Sequence, residues 1–461
     1  MSKYWIGGAV VVAALALTPF YVASRTDAKL NEMQTLLQQR GFSSQILSKS
    51  GYLVGTRTFR LEVVDAQKVR DFLLDAFVAK NPQYQPFAQE FKTESDEDIR
   101  AAFDGLAFNG QIVSSQALPA DVKVSLALSK LPTSIEEELK KEEKSAKVVL
   151  PLIEKGVLAF DMTFDSRQNI KSVKMKDIKE RLAFDEGTLD IDTQGQTLSL
   201  NERSNVLHGI FGIQKQYLSV TSPELTLQSQ LDNLLYTFDY KDDLNAKGDL
   251  SLGGYRFSAK DTTSSDVSFS LGSMKITSAG EELNKQWNVK ADYALNNISL
   301  VAQNDEVKVD QLTLMLAFKE FESATLKKLQ TDYNAIVMQK TTDEQALIDD
   351  FVALVRHGLK IELNVGLKNM SGTLALKDIG LNTTLSIAKN DFNDQQSPLA
   401  VLALIDVNAK LKLHKDDRTT LEALNLTAPS DFALGQAEGD FYLYDIAFKK
   451  GVLSVNGQVI Q

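Results

Sequence analysis

Three histidines, several pairs of adjacent carboxylates and one Asp-rich turn are the side chains here best suited to chemistry. His208, His357 and His414 are widely separated, and none has a partner at H-x-x-x-H spacing, so each reads as structural or solvent-facing. His357 stands just before Gly358 at the end of a helical pattern, a place that suits the helix dipole when an imidazole there carries a charge. The stretch Asp190-Ile191-Asp192-Thr193-Gln194-Gly195 opens like a calcium loop. Gln194 then occupies a position that needs Asp or Asn, and Asn201 stands where a bidentate Glu should close the loop. Asp190 and Asp192 read better as the outer face of a strand carrying Leu189 and Ile191. The pairs Asp242-Asp243, Asp349-Asp350 and Asp416-Asp417 are sequence neighbours, which on a strand point to opposite faces and make poor acid–base partners.

No nucleophile elbow, phosphate loop or dinucleotide fingerprint occurs, and Gly253-Gly254-Tyr255 reads as a turn. The chain has no cysteine, which removes disulfides, thiolate metal sites, thiol catalysis and lipidation through Cys. That also suits an oxidising compartment, where stray thiols are a liability. The residues therefore offer no catalytic, cofactor-binding or metal-ligating set, and the chain reads as non-enzymatic. A net charge of −11 without a basic stripe argues against a nucleic-acid partner.

What positions the remainder is the first stretch. Tyr4–Ala23 carries no charge and is just long enough, at about 1.5 Å per residue, to cross a hydrocarbon core of about 30 Å. Tyr4, Trp5 and Tyr21 lie at its ends, where amphipathic rings prefer the headgroup level. Lys3 is a weak basic flank and Val22-Ala23-Ser24 a poor cleavage site, so an uncleaved signal anchor is the expectation over a cleaved peptide or a buried helix. The charge flanks are nearly balanced. The short N-terminal flank favours the N-terminus inside and the body outside, which in a bacterium is the periplasm.

Behind the anchor (residues 1–25), a helix continues through 26–41, with Leu30, Met33, Leu36 and Leu37 at helical spacing and Gly41 as its stop. It reads as a rigid stalk, or more sharply as a short coil through which two copies dimerise. Residues 42–155 read as mixed α and β: alternation through Gly51–Val64, helix over most of Ala66–Asp104, a half-buried strand at Val122–Leu128, and a charged helix over Ser134–Glu154. Residues 156–320 read as antiparallel β with about ten residues per strand, broken at Asn201, Gly248, Gly253-Gly254 and Asn296-Asn297. Residues 321–358 read as a helical pair with Leu347, Phe351, Leu354 and Val355 on one face, and 359–461 as a second antiparallel β region. The expected class is α+β, dominated by long antiparallel meander sheets with a few packed helices.

Three phrases together resemble the YdgA-like family of bacterial inner-membrane proteins of unknown function. They are the Trp-Gly-containing anchor leading to Ser48-Lys49-Ser50-Gly51-Tyr52; the helix end Leu354-Val355-Arg356-His357-Gly358; and the tail Lys450-Gly451-Val452-Leu453-Ser454-Val455-Asn456-Gly457. That resemblance implies an inner-membrane anchor with a periplasmic body, and it brings no catalytic residue. The strand style and closing phrase are also similar to the large AsmA-like envelope proteins, for which a lipid-bearing β-groove is implied. An envelope scaffold or protein-binding module is the first functional expectation. Lipid or hydrophobic-ligand transport through an apolar β-groove is the alternative, and an envelope hydrolase the third. The shape of the apolar sheet face (open, plugged or sandwiched) separates the first two.

Overall fold

The computed structural model describes residues 34–460, apart from 51–53, most of 81–95, 116–120, 142, 166–168, 185, 243, 262–265, 304, 338–343, 373–374, 394–397 and 424–434. The anchor Tyr4–Ala23 and the first part of the helix after it lie outside these residues. Among the described residues, no helix is long and apolar enough to cross a membrane. The chain forms two compact units. The first runs to Asn201 and includes Ile210–Gln214; the second takes Glu202–Gly209 and Lys215 onward.

In the first unit, residues 34–39 are helical and Gly41, at φ +89°, stops them as expected. Leu37 is buried in the core, so this turn packs on the body. Strand β1 (Phe42–Ser50) pairs with β2 (Val54–Val63), followed by β3 (Ala107–Ser115), β4 (Val122–Lys130), β5 (Ala159–Phe164) and β6 (Ile170–Met175) as consecutive antiparallel neighbours. In β2 the predicted alternation holds: Arg57, Phe59, Leu61 and Val63 face in. Helices α1 (Ala66–Lys80), α2 (Asp96–Phe103), α3 (Thr133–Lys141) and α4 (Glu143–Glu154) complete this part. The charged helix expected over Ser134–Glu154 is therefore two helices. Its Glu136–Lys140 pair does meet at 2.7 Å. Val69 of α1, Ile99 of α2 and Ile153 of α4 join Phe59, Ile112, Leu126 and Met162 in one core. A hairpin of β7 (Ile178–Phe184) and β8 (Gly187–Gln194) and strand β9 (Thr197–Arg203) follow.

Beyond β10 (Val206–Thr221), the second unit is a meander of β11 (Leu225–Asp242), β12 (Asn245–Asp261), β13 (Val267–Leu283), β14 (Gln286–Ala302), β15 (Asp305–Glu322), β16 (Leu359–Ser371), β17 (Leu376–Ile387), β18 (Ile405–His414) and β20 (Phe441–Lys449). Each pairs antiparallel with the next. The short β19 (Gln436–Glu438) and β21 (Val452–Val455) lie against β20, and β22 (Gln458–Val459) against β21. Helices α5 (Ser323–Val337) and α6 (Glu344–His357) connect β15 to β16, and α7 (Arg418–Ala423) follows β18. The β-dominated α+β class is as expected.

The strand lengths are not as expected. Strands β11 to β15 run 17 or 18 residues, not about ten. Asn201, Gly248, Gly253-Gly254 and Asn296-Asn297 all lie inside strands. The tight turns are elsewhere. Ser204-Asn205, Asn284-Lys285, Lys450-Gly451 and Asn456-Gly457 each hold positive φ at both residues, the backbone that a twisted two-residue hairpin demands.

The first unit's core makes a direct prediction. A Cβ at Gly110 of β3 would lie 2.2 Å from the Phe59 ring and 2.8 Å from Leu126. Gly110→Ala is expected to cost about 1–3 kcal/mol by overpacking, measured as a lower urea midpoint for the transition that reports on this unit.

Candidate functional site

The residues singled out for chemistry stay apart. His208 Nδ1 lies 2.6 Å from Asp239 Oδ1 on a half-exposed strand surface. His357 ends α6, and His414 Nδ1 accepts the Asp416 N–H at 3.2 Å, capping a short 3-10 turn. Among the described residues, no three His, Asp or Glu side chains converge as a metal set would. Asp190 and Asp192 lie on β8 opposite Arg181 and Lys179, as a strand reading requires. Asp349-Asp350 lies on a helix and Asp416-Asp417 on the 3-10 turn, not on strands. The members of each pair still diverge. Asp350 is buried against Lys328 at 2.5 Å, while Asp349 accepts from Gln345 at the surface. Asp416 pairs with Lys377, while Asp417 is buried and accepts the Lys377 N–H at 2.6 Å and the Asp378 N–H at 3.3 Å. Asp243 lies outside the described residues.

The helical pair also departs from expectation at one residue. Leu354 and Val355 face inward, but Phe351 is 55% exposed. Asp350 takes an inward position next to it, held there by the ion pair to Lys328 on α5. Gly358, at φ +82°, ends the helix, and Asn390 supplies an N–H to Arg356 O and its side-chain amide to Val355 O. The His-Gly phrase is thus a helix terminus, and the closing Asn456-Gly457 phrase is a hairpin turn.

What the structure assembles is a surface. On β14, Trp287, Val289, Ala291, Tyr293 and Leu295 alternate to one face, while Lys290 and Asp292 pair on the other at 2.9 Å. The same division runs across the neighbouring strands. One cross-strand row joins Leu234, Leu252, Met274, Leu295, Leu312, Leu367 and Ile379. The next joins Leu231, Tyr255, Leu271, Ile298, Val309, Met370 and Leu376. Further rows hold Tyr236, Leu250, Ile276, Tyr293, Leu314 and Val365 on one side and Phe257, Phe269, Leu300 and Val307 on the other.

Between the two inner rows, every strand steps by three residues instead of two. Leu231 and Leu234, Leu252 and Tyr255, Leu271 and Met274, Leu295 and Ile298 flank this step, as do Val309 and Leu312, Leu367 and Met370, Leu376 and Ile379. The pairing omits one rung there, or two between β12 and β13, and resumes in unchanged register on each strand pair. Asn233, Asn297 and Asn369 sit in the gap with φ of 52°, 53° and 47°. Asn tolerates that left-handed backbone, and it shifts the alternation so that both halves of a strand present apolar residues to one side. Leu376 and Ile379 demonstrate this directly, since both pack into one cluster with Leu413 and Leu421. Glycine lies where the asparagines press. A Cβ at Gly272 would meet Asn297 Cβ at 2.8 Å, and one at Gly253 would meet Asn233 Cβ at 3.1 Å. Polar side chains tie the line. Asn369 donates to Asp310 at 2.8 Å, Asn296 to Ser273 at 3.1 Å, and Gln311 to Asn296 at 3.3 Å.

Leu252 and Leu271, beside this crease, are only 7% exposed, whereas Tyr240 and Leu300, further out, are 44% and 45% exposed. This line of omitted pairing is the crease, and these two leucines beside it are the more withdrawn from water. The two buried clusters of the second unit lie to one side. One joins Val352 and Val355 of α6 to Leu385, Ile387 and Phe392; the other joins Leu421 of α7 to Leu376, Ile379, Leu413, Tyr442 and Tyr444. Neither includes a residue of β11–β15. Among the described residues, the apolar rows of those strands join no buried cluster and are mostly half-buried.

Residues 1–424 match the model of a family described as a bacterial protein of unknown function, DUF945. The chain belongs to that family. No curated protein and no solved structure matches it. The family match covers all of β11–β17, so the creased sheet falls within its span. No lone side chain marks this site, which is why searching for catalytic residues passes over it. The readable signal was the three-residue step in the apolar spacing, seven times over.

The crease has its own test. Gly272→Ala is expected to cost about 1–3 kcal/mol because its Cβ collides with Asn297, whereas Asn297→Gly, which accepts positive φ freely, stays within about 1 kcal/mol of the parent. Urea unfolding of both variants measures this; equal effects at the two positions would mean that the backbone gap does not depend on their contact.

Proposed function

We propose that this bacterial protein handles lipid in the cell envelope, with the open apolar face of β11–β16 as the surface that carries acyl chains. The supporting observation is that face itself: aliphatic and aromatic rows continue from strand to strand and stay partly exposed, and among the described residues the buried clusters that involve α6 and α7 draw their strand residues from β16–β21. A contiguous apolar surface left open to water is costly, and transferring acyl methylenes onto it contributes about 0.8 kcal/mol each. A protein partner is the rival occupant of the same face, and the test below separates the two.

In this reading Tyr4–Ala23 anchors the chain in the bacterial inner membrane as a single pass, and the body works in the periplasm by binding, without chemistry of its own. The anchor keeps the open face near a lipid source. The YdgA-like and AsmA-like resemblances agree with that placement.

The test is carried out in cells on the full chain. A photoreactive phenylalanine analogue replaces Tyr293 on the apolar face or Lys290 on the polar face. Illumination is expected to give a lipid-mass adduct from position 293 and none from 290. Protein adducts alone at 293 would replace the lipid reading with the scaffold. Orientation is measured separately: a phosphatase fused after Gln461 should be active, and an inactive but intact fusion would place the body in the cytoplasm.

A further inference from the structure

The turn between β18 and α7 is capped by a side chain that can lose its acceptor. His414 ends β18, and Lys415–Asp417 form the 3-10 turn that runs on into α7. N-caps are ordinarily Ser, Thr, Asp or Asn, whose oxygens accept an N–H throughout the range near neutrality. Here the acceptor is His414 Nδ1, 3.2 Å from the Asp416 nitrogen. To accept at Nδ1 the ring must be neutral, with its proton on Nε2. A protonated ring carries N–H groups at both nitrogens, so Nδ1–H would meet the Asp416 N–H head on and the cap would be lost. Imidazole is the side chain built to change charge between about pH 5 and 8.

What the turn holds is the start of β17. It grips Lys377 twice: the Asp416 carboxylate takes its ammonium, and Asp417, 1% exposed, accepts its backbone N–H at 2.6 Å and that of Asp378 at 3.3 Å. The Thr420 hydroxyl donates to Ala375 O at 3.0 Å. These bonds set Leu421 of α7 against Leu376, Ile379 and Leu413 in one buried cluster.

The neighbouring charges are committed elsewhere. Lys412 of β18 lies over the Phe441 ring and pairs with Asp378 at 3.2 Å, while Lys415 donates to Gly439 O. On β20 the His414 ring meets Phe441 edge-on at 5.3 Å between centres; Asp440 precedes Phe441, Tyr442 follows it, and Glu438 of β19 is its register partner. Among the described residues, the one carboxylate in ion-pair reach of the ring is Asp416, 3.8 Å from Nδ1. Its bond to Lys377 holds that carboxyl below the usual carboxylate range, so it stays ionised across the imidazole range. Asp416 therefore offers a protonated Nδ1 a new partner, in competition with Lys377. The capped turn excludes a proton from Nδ1 and the opened turn does not, so falling pH shifts the balance towards the opened turn.

We propose that His414 is an acid-released latch: protonation at Nδ1 breaks the cap, loosens the hold of Asp416 and Asp417 on Lys377, and lets α7 lift from Leu376 and Ile379. Those two residues continue the two inner apolar rows from β16, so acidification lengthens the exposed part of the rows by a strand. The latch depends on the cap alone and stands whatever the apolar face holds.

Amide hydrogen exchange of the full chain in detergent, read by mass spectrometry at about pH 7.5 and about pH 5.5 and corrected for intrinsic exchange at each, measures the opening. In the parent, peptides covering 376–378 and 416–423 are expected to lose roughly fivefold to tenfold in protection at the lower pH, the size of a lost N-cap. Peptides of β2 and β4 are expected to keep theirs. His414→Asn retains a cap acceptor that does not protonate in this range, and it is expected to hold its protection at both values; His414→Ser serves where Asn lowers the amount of folded protein. His414→Ala, with no cap acceptor, is expected to be poorly protected at both. Equal parental protection at the two pH values, or an undiminished drop in the Asn or Ser variant, overturns the latch. So does an Ala variant as protected as the parent at the higher pH.

Discussion

Seven consecutive strands, β11 to β17, must each break their two-residue alternation once, and all must do so along one line, neighbouring breaks falling within a rung of each other. A break in one strand alone would turn the apolar residues beyond it to the polar face, with a register conflict against both neighbours. Made together, the breaks cancel between strands: pairing resumes in the same register, and both halves of every strand keep their apolar residues on one side. The residues in the gap follow from this. Asn233, Asn297 and Asn369 tolerate positive φ, and Gly253 and Gly272 leave room for the asparagines pressed against them.

The two units settle their apolar surface in different ways. In the first, helices α1, α2 and α4 lie on the sheet, and Phe59, Leu126 and Met162 are sealed from water. In the second, the helices between strands come late. Strands β11 to β15 follow one another through short connections, so their own sequence provides no element to lay over them. Only after β15 do α5 and α6 enter, then α7 after β18, and the buried clusters form there. The order of elements along the chain thus determines which part of the apolar face is covered. Exposed residues such as Tyr240 and Leu300 forgo the roughly 25 cal/mol per Å² that burial would contribute. Long hairpins with full ladders of hydrogen bonds hold them in place regardless.

Much of this was legible from residue order. The alternation in β2, β4 and β16, the helix stop at Gly41 and the His357-Gly358 terminus depend on local rules, and they appear where those rules put them. The crease was not read, for a physical reason. Gly253-Gly254 and Asn296-Asn297 have the composition of hairpin turns, and within one strand nothing distinguishes a turn from a bulge. The distinction lies in the partner: Gly272 faces Asn297 across the sheet, which only the register reveals. The expected face of α6 failed similarly at Phe351, because helical spacing cannot anticipate that Asp350 is drawn inward by Lys328 from another helix.

The absence of a legible active site in the sequence acquires a different meaning on such a surface. Catalysis concentrates its requirements in a few side chains at fixed distances, which motifs capture. Holding a flexible apolar chain makes a distributed demand. Each row must remain apolar, but Leu, Ile, Val, Met and Tyr all satisfy it, as the two inner rows already show by mixing them. The positions with little freedom are those that keep the backbone in the gap and α7 in its seat: the asparagines at positive φ, the glycines they press on, and Asp417 with its two backbone donors. On this sheet, polar and glycine residues set the geometry, and the apolar residues, individually replaceable, supply the affinity.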